Sequence, residues 1–276
     1  MHLVCGSPNR DDQFAFRKCR NYLKTPFLSG ETIEMLDNEL LGDKYKALYE
    51  GYYDATVAQK REIAAIDSFS HIRKIVGPDE FNRVLDVGAG EGSLLSCMQS
   101  EGFGAHLYAV EISESGLDAI RSRRLSRLVE AQLFDGYHIP YPDKFFDLAI
   151  SAHVLEHVEH ERLFLAELKR VAKKVAIEVP LEDGFRIKSA VVGGERFGHI
   201  NFYNPSTVLG LLKTSGLKPN AWMVNDTSVK YEQYLSGRNR GFVKHCVRNA
   251  ALRVLPRIAP YYLTYVFTVV SDTEGY

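Results

Sequence analysis

The chain is short of everything that would tie a protein to a special environment. It has 4 cysteines in 276 residues, Cys5, Cys19, Cys97 and Cys246, with no C-x-x-C pair. Cysteines so scattered make no disulfide framework and point to a reducing compartment. No apolar run reaches the roughly 18 residues that a membrane span needs. The opening MHLVCGSPNRDDQ lacks the long apolar core of a secretory signal, so the expectation is a cytoplasmic protein without a membrane span. Neither sign of charge is in surplus: 34 Lys and Arg stand against 35 Asp and Glu, a net charge of -1. That balance argues against a general nucleic-acid binder. Internal repeats and low-complexity tracts are also missing. What remains is 45% hydrophobic and 25% charged, the usage of a globular protein. A chain of this size buries about 70–75% of its unfolded surface and needs no covalent staples.

Residues 1–40 are polar and irregular, broken by Pro8, Pro26 and Gly30, and read as an N-terminal arm. Residues 41–77 read as a helical lid. Within it Tyr45, Tyr49, Tyr52 and Tyr53 recur at i, i+4, i+7 and i+8, one face of a helix. Gly77-Pro78 ends that segment, and residues 78–276 form the main domain. There strands alternate with helices. RVLDVG (83–88), HLYAVE (106–111), LVEAQLFD (128–135), KFFDLAIS (144–151) and KVAIEVP (174–180) read as strands, the last stopped by Pro180. The intervening EGSLLSCMQSEG, SESGLDAIRSRR and ERLFLAELKRVA read as helices, with Ser113 as a cap. Such alternation means a parallel sheet covered on both faces, which binds ligands beyond the carboxyl ends of its strands. Toward the end, NPSTVLGLLKTSG reads as a helix capped by Asn204 or Ser206. LKPNAWMVN and YYLTYVFTVVSD (261–272) read as strands, and residues 227–260 as a basic helical insertion.

The stretch VLDVGAGEGSLL (84–95) carries the most chemistry. Asp86 closes the first strand, and Gly88, Ala89, Gly90 and Gly92 turn the chain toward a helix whose N-terminus offers free N–H groups. A dinucleotide loop wants G-x-G-x-x-G, but here the third glycine comes one residue early and Ser93 stands in its place. Asp86 is an awkward neighbour for a pyrophosphate and suits a ligand carrying an ammonium group. The pattern favours a nucleoside with an amino-acid tail over a dinucleotide, with a ligand-free strand–helix turn as the third reading. Glu111 ends the second strand, 19 residues after Gly92, where a carboxylate accepts from both ribose hydroxyls. Ile112 and Phe134 are placed to cover the two faces of an adenine, and Asp135, followed by Gly136, to accept from its amino group.

With these segments in hand the chain resembles the class I S-adenosylmethionine-dependent methyltransferases over roughly residues 80–225. The resemblance rests on VLDVGAGEGSLL, YAVEIS, LFDGYHIPYPDKFFDLAISAHVLEHV, ELKRVAKKVAIEVP and GHINFYNPSTVLGLLKTSGL. It implies a Rossmann-like α/β fold, a doubly wound seven-stranded sheet in the order 3-2-1-4-5-7-6 with the last strand antiparallel. It implies S-adenosyl-L-methionine as cofactor. Asp86, Gly88, Gly90 and Gly92 would line its methionine part, Glu111 its ribose and Asp135 its adenine. Ser151, Ala152 and His153 would lie near its sulfonium.

Methyl transfer is an in-line displacement, so positioning supplies much of the rate and an oxygen nucleophile also needs a base. His199, in FGHINFYN after the fifth strand, reads as base or substrate contact, or else as a loop histidine. His153 reads as a second catalytic candidate or as a packing residue. Tyr49, Tyr52, Tyr53 and Asn201 read as substrate-binding residues, the tyrosines also as ordinary packing. Glu178 is a further candidate. His153-Val-Leu-Glu156-His157 matches the H-x-x-E-H of some zinc proteases, but it directly follows a strand and the glycine loop has no use there. The N-terminal HLVCGS and FRKCRNYLKTP resemble a zinc ribbon with ligands missing: Cys5 and Cys19 remain, and Tyr22 stands in a ligand position. No metal is therefore expected. The stretch 238–257 reads as contact with an anionic membrane surface or acidic partner, or as an amphipathic helix covering the sheet with solvated Lys and Arg.

The resulting expectation is a methyltransferase acting on a small molecule, with oxygen as acceptor. The alternatives are another use of the same cofactor, such as cyclisation of its aminocarboxypropyl chain, and a non-catalytic subunit that binds it.

Overall fold

The computed structural model describes residues 58–78, 80–185, 187–194 and 198–273, all within the unit Leu41–Tyr276. The arm at 1–40 and the tyrosines Tyr45, Tyr49, Tyr52 and Tyr53 lie outside the described residues.

Seven strands form one sheet in the order β3-β2-β1-β4-β5-β7-β6. They are β1 (Arg83–Val87), β2 (His106–Glu111), β3 (Leu128–Leu133), β4 (Phe146–Ala152), β5 (Ala172–Leu181), β6 (Lys218–Asn225) and β7 (Tyr265–Asp272). The first five run parallel, and β7 lies antiparallel between β5 and β6. The implied strand order and the reversed final strand are both present. The helices are α1 (Ala58–Val76), α2 (Ser93–Ser100), α3 (Glu114–Ser122), α4 (Glu161–Val171), α5 (Ile187–Gly194), α6 (Pro205–Thr214), α7 (Val229–Ser236) and α8 (Arg238–Val254). Among the described helices none is long and apolar enough to cross a membrane.

Side chains alternate across a strand, and this alternation sorts the core into two clusters. Val84, Leu107, Ala109, Leu148, Ile150 and Ala176 face one way and pack with Ile72 of α1, Leu95 of α2 and Ile120 of α3. Leu85, Val87, Val110, Val175 and Ile177 face the other way and pack with Phe164 and Leu168 of α4 and Leu212 of α6. Fully buried side chains such as Phe146, Phe164 and Phe267 contribute about 1.5–3 kcal/mol each. The same alternation puts Asp86, Glu111, Glu178 and Thr268 in phase with the first cluster, so polar groups continue that face at the strand ends.

Local signals explain most boundaries. Ser113 caps α3 by accepting from Gly116 N, and Asn204, not Ser206, caps α6 by accepting from the N–H groups of Ser206 and Thr207. Two readings need correction. Pro180 does not stop β5, which continues to Leu181 paired with Tyr265. The N and O of Glu178 point toward β4, where Glu178 O accepts from His153 N. Pro180, two residues on, turns its missing donor to the same side after β4 has ended, a position that tolerates proline. The strand read from 261 begins at Tyr265, because Ala259–Tyr261 forms a short 3-10 turn.

The basic stretch is helical as α8, but it does not cover the sheet with an apolar face. Phe242, Val243, Val247 and Val254 are exposed. Nor are all its cations solvated. Arg248 is buried, with Nε donating to Asp226 Oδ1 at 2.6 Å, and Lys244 Nζ lies 2.8 Å from Glu232 Oε2. These pairs fasten α8 to α7 and to the end of β6.

Candidate active site

The carboxyl ends of β1, β2, β4 and β5 share one edge of the sheet. The chain order reverses between β1 and β4, the position where such sheets open a crevice. The glycine loop lies there. Gly88, Gly90 and Gly92 have φ of 72°, 57° and 77°, conformations that side chains disfavour. At Gly88 an added Cβ would stand 2.6 Å from Val154 Cγ2, so the loop and the segment after β4 approach as closely as they can.

Asp86 is 2% exposed, and its Oδ2 has no hydrogen-bond partner among the described residues. Burial, reinforced by the nearby Glu111, pushes its carboxyl up to about 8. A buried carboxyl with an unsatisfied oxygen is costly alone and matches a cationic donor. Glu111, also 2% exposed, accepts from Gly90 N at 2.8 Å through Oε2, and from Ser113 N and Oγ at 3.2 and 3.0 Å through Oε1. Burial raises its pKa, and the Gly90 and Ser113 donors offset part of that rise. Glu111 thus shapes the glycine loop.

The remaining expected cofactor residues flank this pair. Ala89 is partly buried and packs with the α1 side of the core; Ile112 packs with the other. Phe134 is buried in that second cluster, and its N–H donates to Glu111 O at 3.0 Å. Asp135 is exposed, and its Oδ1 accepts from Tyr137 N and His138 N at 2.8 and 2.6 Å, forming the turn at Gly136. Ser151, buried at the end of β4, has an Oγ without a hydrogen-bond partner among the described residues. Ala152 follows it on the α1 face.

His153 adopts φ 57°, which swings its ring between two buried carboxylates. Nδ1 lies 3.4 Å from Glu156 Oε1, and Nε2 lies 3.5 Å from Glu178 Oε1. The ring is 39% exposed. Burial would lower its pKa, but Glu156 and Glu178 prevail and raise it to about 10. That shift favours the imidazolium form of the ring. Glu178, 0% exposed, has its pKa lowered: burial opposes, and His153 and His71 outweigh it.

His199 lies on the loop between α5 and α6, and its Nδ1 is 2.8 Å from Glu182 Oε2. Burial acts downward on its pKa, but the Glu182 hydrogen bond raises it. Asn201 is not open to a ligand through its amide nitrogen, which donates to Leu155 O at 3.1 Å and Val158 O at 2.7 Å. It staples the His199 loop to the 3-10 turn Leu155–His157. Leu155–His157 is a single 3-10 turn and not the α-helix that motif needs, so H-x-x-E-H does not adopt the protease geometry.

Sequence reasoning missed Gly116, Glu91 and the two arginines that hold Glu91. Gly116, in the first turn of α3, would place a Cβ 2.8 Å from Glu111 Cγ and 3.0 Å from Gly90 O. Glu91, inside the loop, is held by Arg61 at 2.7 Å and by Arg123 at 3.4 Å. Arg123 also donates to Glu91 O and to Ser93 Oγ at 2.9 Å. Burial acts upward on the Glu91 carboxyl, yet Arg61 and Ser93 bring it below the usual range. The G-x-G-x-G spacing pointed to the loop, but nothing local pointed to these distant clamps.

Comparison with known proteins agrees with this geometry. A family described as "Methyltransferase domain" matches residues 85–177. The ubiquinone/menaquinone biosynthesis C-methyltransferase UbiE of Cupriavidus pinatubonensis is 35% identical over 95 residues, 33% of this chain and 39% of that protein. The chain thus spans about two fifths of the length of the curated relatives it matches. Among solved structures, geranyl diphosphate C-methyltransferase from Streptomyces coelicolor A3(2), in complex with Mg2+, geranyl diphosphate and S-adenosyl-L-homocysteine, aligns with a TM-score of 0.54 at 15% identity. The alignment covers 83% of this chain and 87% of that one. A possible histamine N-methyltransferase from Thermotoga maritima aligns with a TM-score of 0.57 at 13% identity, covering 85% of this chain and 100% of that one.

Proposed function

From a chain that carries a methyltransferase domain at residues 85–177 on the class I S-adenosylmethionine-dependent methyltransferase fold, we propose methyl transfer from S-adenosyl-L-methionine to a small molecule. The observation that carries this reading is the buried Asp86 with its unsatisfied Oδ2, one strand away from Glu111, beneath a loop of positive-φ glycines. Asp86 takes the α-ammonium group, Glu111 the ribose hydroxyls, and Ile112, Phe134 and Asp135 the adenine. Ser151, Ala152 and His153 line the end nearest the sulfonium.

The cofactor supplies a methyl carbon attached to a positively charged sulfur. The chain's own residues hold the acceptor in line with it and exclude water. Bound by Asp86, Glu111 and the Ser151–His153 segment, the cofactor would supply a methyl group and leave as S-adenosyl-L-homocysteine, with one proton released from the acceptor. His153, set between Glu156 and Glu178 with its pKa raised by them, is suited to orienting rather than to taking a proton. His199, fixed by Glu182, is the remaining candidate for contact with the acceptor.

Oxygen as acceptor is not carried forward. The curated relatives are named C-methyltransferases, and a carbon acceptor accords with those names. Cyclisation of the cofactor's own chain and a purely regulatory role find no support in them. Helix α8 adds a setting for an apolar acceptor: exposed Phe242, Val243 and Val247 accompany exposed Arg238, Arg240 and Arg253, with exposed Arg257 just after the helix, a composition that suits peripheral contact with an anionic bilayer.

Incubation with S-adenosyl-L-methionine labelled with carbon-13 at its methyl group, together with a small-molecule cell extract, tests the reading by mass spectrometry. S-adenosyl-L-homocysteine and a product whose carbon-13 shift is that of a carbon-bound methyl support it. Methylthioadenosine would establish cyclisation instead, and binding without turnover the regulatory role.

A further inference from the structure

The sequence suggested that this protein holds no metal, yet one cluster is arranged as a cation site. We propose that Glu156, His157 and His199 bind a divalent transition-metal cation of the zinc class beside the methyl-transfer crevice.

One ligand atom from each residue lies within 4.8 Å of the other two. Metal–nitrogen bonds of about 2.1 Å in a tetrahedron put ligands about 3.4 Å apart, a closure that side-chain rotation supplies. The histidine tautomers are set by what the rings already touch. His157 Nδ1 donates to Gly198 O at 2.9 Å, and His199 Nδ1 to Glu182 Oε2 at 2.8 Å. Each imidazole therefore presents Nε2 as its metal-binding nitrogen. A backbone carbonyl and a carboxylate behind two histidines is the outer shell that orients metal ligands elsewhere.

The carboxylate is the second, independent observation. Glu156 is 1% exposed, and neither side-chain oxygen has a hydrogen-bond partner among the described residues. His157 Nε2 lies 4.0 Å from Glu156 Oε1, so a nitrogen and a carboxylate oxygen are presented to one point. His153 Nδ1 lies on the other side, 3.4 Å from Glu156 Oε1.

The two segments that carry the ligands are already joined. Ile200 N and Asn201 N both donate to Glu156 O, at 2.9 and 3.0 Å, and Tyr203 Oη donates to Leu155 O at 3.1 Å. Binding would therefore order little additional backbone. Two imidazole nitrogens and one carboxylate oxygen suit zinc, cobalt or iron(II) better than calcium or magnesium. Three protein ligands leave at least one position for water or for an acceptor oxygen. Cation binding itself does not depend on the methyl-transfer reading.

Calorimetric titration of the chelator-treated full chain with Zn2+, and absorption spectra with Co2+, test this. The expected result is one high-affinity equivalent, weakened at least tenfold in His199→Gln and in Glu156→Gln. A Cys5→Ser/Cys19→Ser double variant should keep the site, with a Co2+ spectrum free of sulfur charge transfer. Affinity unchanged in both His199→Gln and Glu156→Gln, metal lost with the cysteines, or no binding to the wild-type chain would each overturn the proposal. Binding of S-adenosyl-L-methionine, measured on the same preparations, shows that the variants are folded. Failure of the wild-type chain to bind it would count against the methyl-transfer reading and leave the metal result standing.

Discussion

His71 Nδ1 donates to Glu178 Oε2 at 3.0 Å, joining α1 to the end of β5 across 107 residues of sequence. Thr268 Oγ1 of β7 donates to the same oxygen at 2.7 Å, and Asn225 Nδ2 of β6 donates to Thr268 Oγ1 at 2.8 Å. One buried carboxylate thus gathers α1, β5, β6, β7 and, through His153, the segment after β4. Removing one partner strands a buried charge, which costs about 3–5 kcal/mol. His71→Ala should lose stability on that scale in urea denaturation of the full chain. Adding Glu178→Gln should recover part of the loss, because the stranded charge goes with it. A His71→Ala chain as stable as the wild type would show that the pair carries no net weight.

Asp86 makes cofactor binding a proton-linked event. Its carboxyl is raised to about 8, so at pH 7 the unliganded protein holds it mostly protonated. An ammonium ligand needs it ionised. Binding at pH 7 should release close to one proton, and affinity should rise with pH by up to tenfold per unit until about 8. Calorimetry in buffers of different ionisation heat measures the release directly. The linkage also has a stability side. A carboxyl raised on folding costs stability as pH climbs from the unfolded value toward 8, so Asp86→Asn should melt higher than the wild type at pH 8 while binding cofactor more weakly. Binding without proton release would contradict the assignment.

His153 carries the opposite sign. A histidine raised to about 10 contributes stability that is fully present below its unfolded value and is lost as pH rises through about 10. Asparagine tolerates the φ of 57°. His153→Asn should therefore melt below the wild type at pH 6–7, and the gap should close by pH 10–11. Proton NMR of the ring checks the titration, and a midpoint near the ordinary histidine value would refute the two-carboxylate clamp.

Gly116→Ala should weaken cofactor binding without unfolding the sheet. The new methyl would press on Glu111 Cγ at 2.8 Å and on Gly90 O at 3.0 Å, moving the carboxylate and the loop together. A loss of tenfold or more in affinity, about 1.4 kcal/mol, is expected with near-UV circular dichroism unchanged. Unaltered affinity would mean that the α3 turn can give way.

The parts of this fold that were legible in the sequence are those set by local chemistry. VLDVG and HLYAVE are short apolar runs closed by a turn or an acid, and they became β1 and β2 with boundaries unchanged or shifted by one residue. Ser113 and Asn204 announced their helices through side-chain oxygens that reach their own backbone. Asp86 and Glu111 were visible because strand ends in a parallel sheet share an edge. What was not legible depends on partners far away in sequence. Pro180 reads as a stop until β4 is known to end before it. Glu91 looks like a surface acid until Arg61 and Arg123 close on it. Asn201 looks like a substrate ligand until its amide is found on the turn after β4. The apolar residues of α8 look like core, because periodicity records a face and not what covers it.

Equilibrium dialysis of the full chain against radiolabelled S-adenosyl-L-methionine, with Glu111→Ala alongside, tests the central claim most directly. The account predicts one site per chain, competed by S-adenosyl-L-homocysteine and not by NADH. It predicts that Glu111→Ala weakens binding by about 1.5–3 kcal/mol, the cost of a charged hydrogen bond. No retained label on the wild-type chain, or equal retention by both proteins, would contradict it.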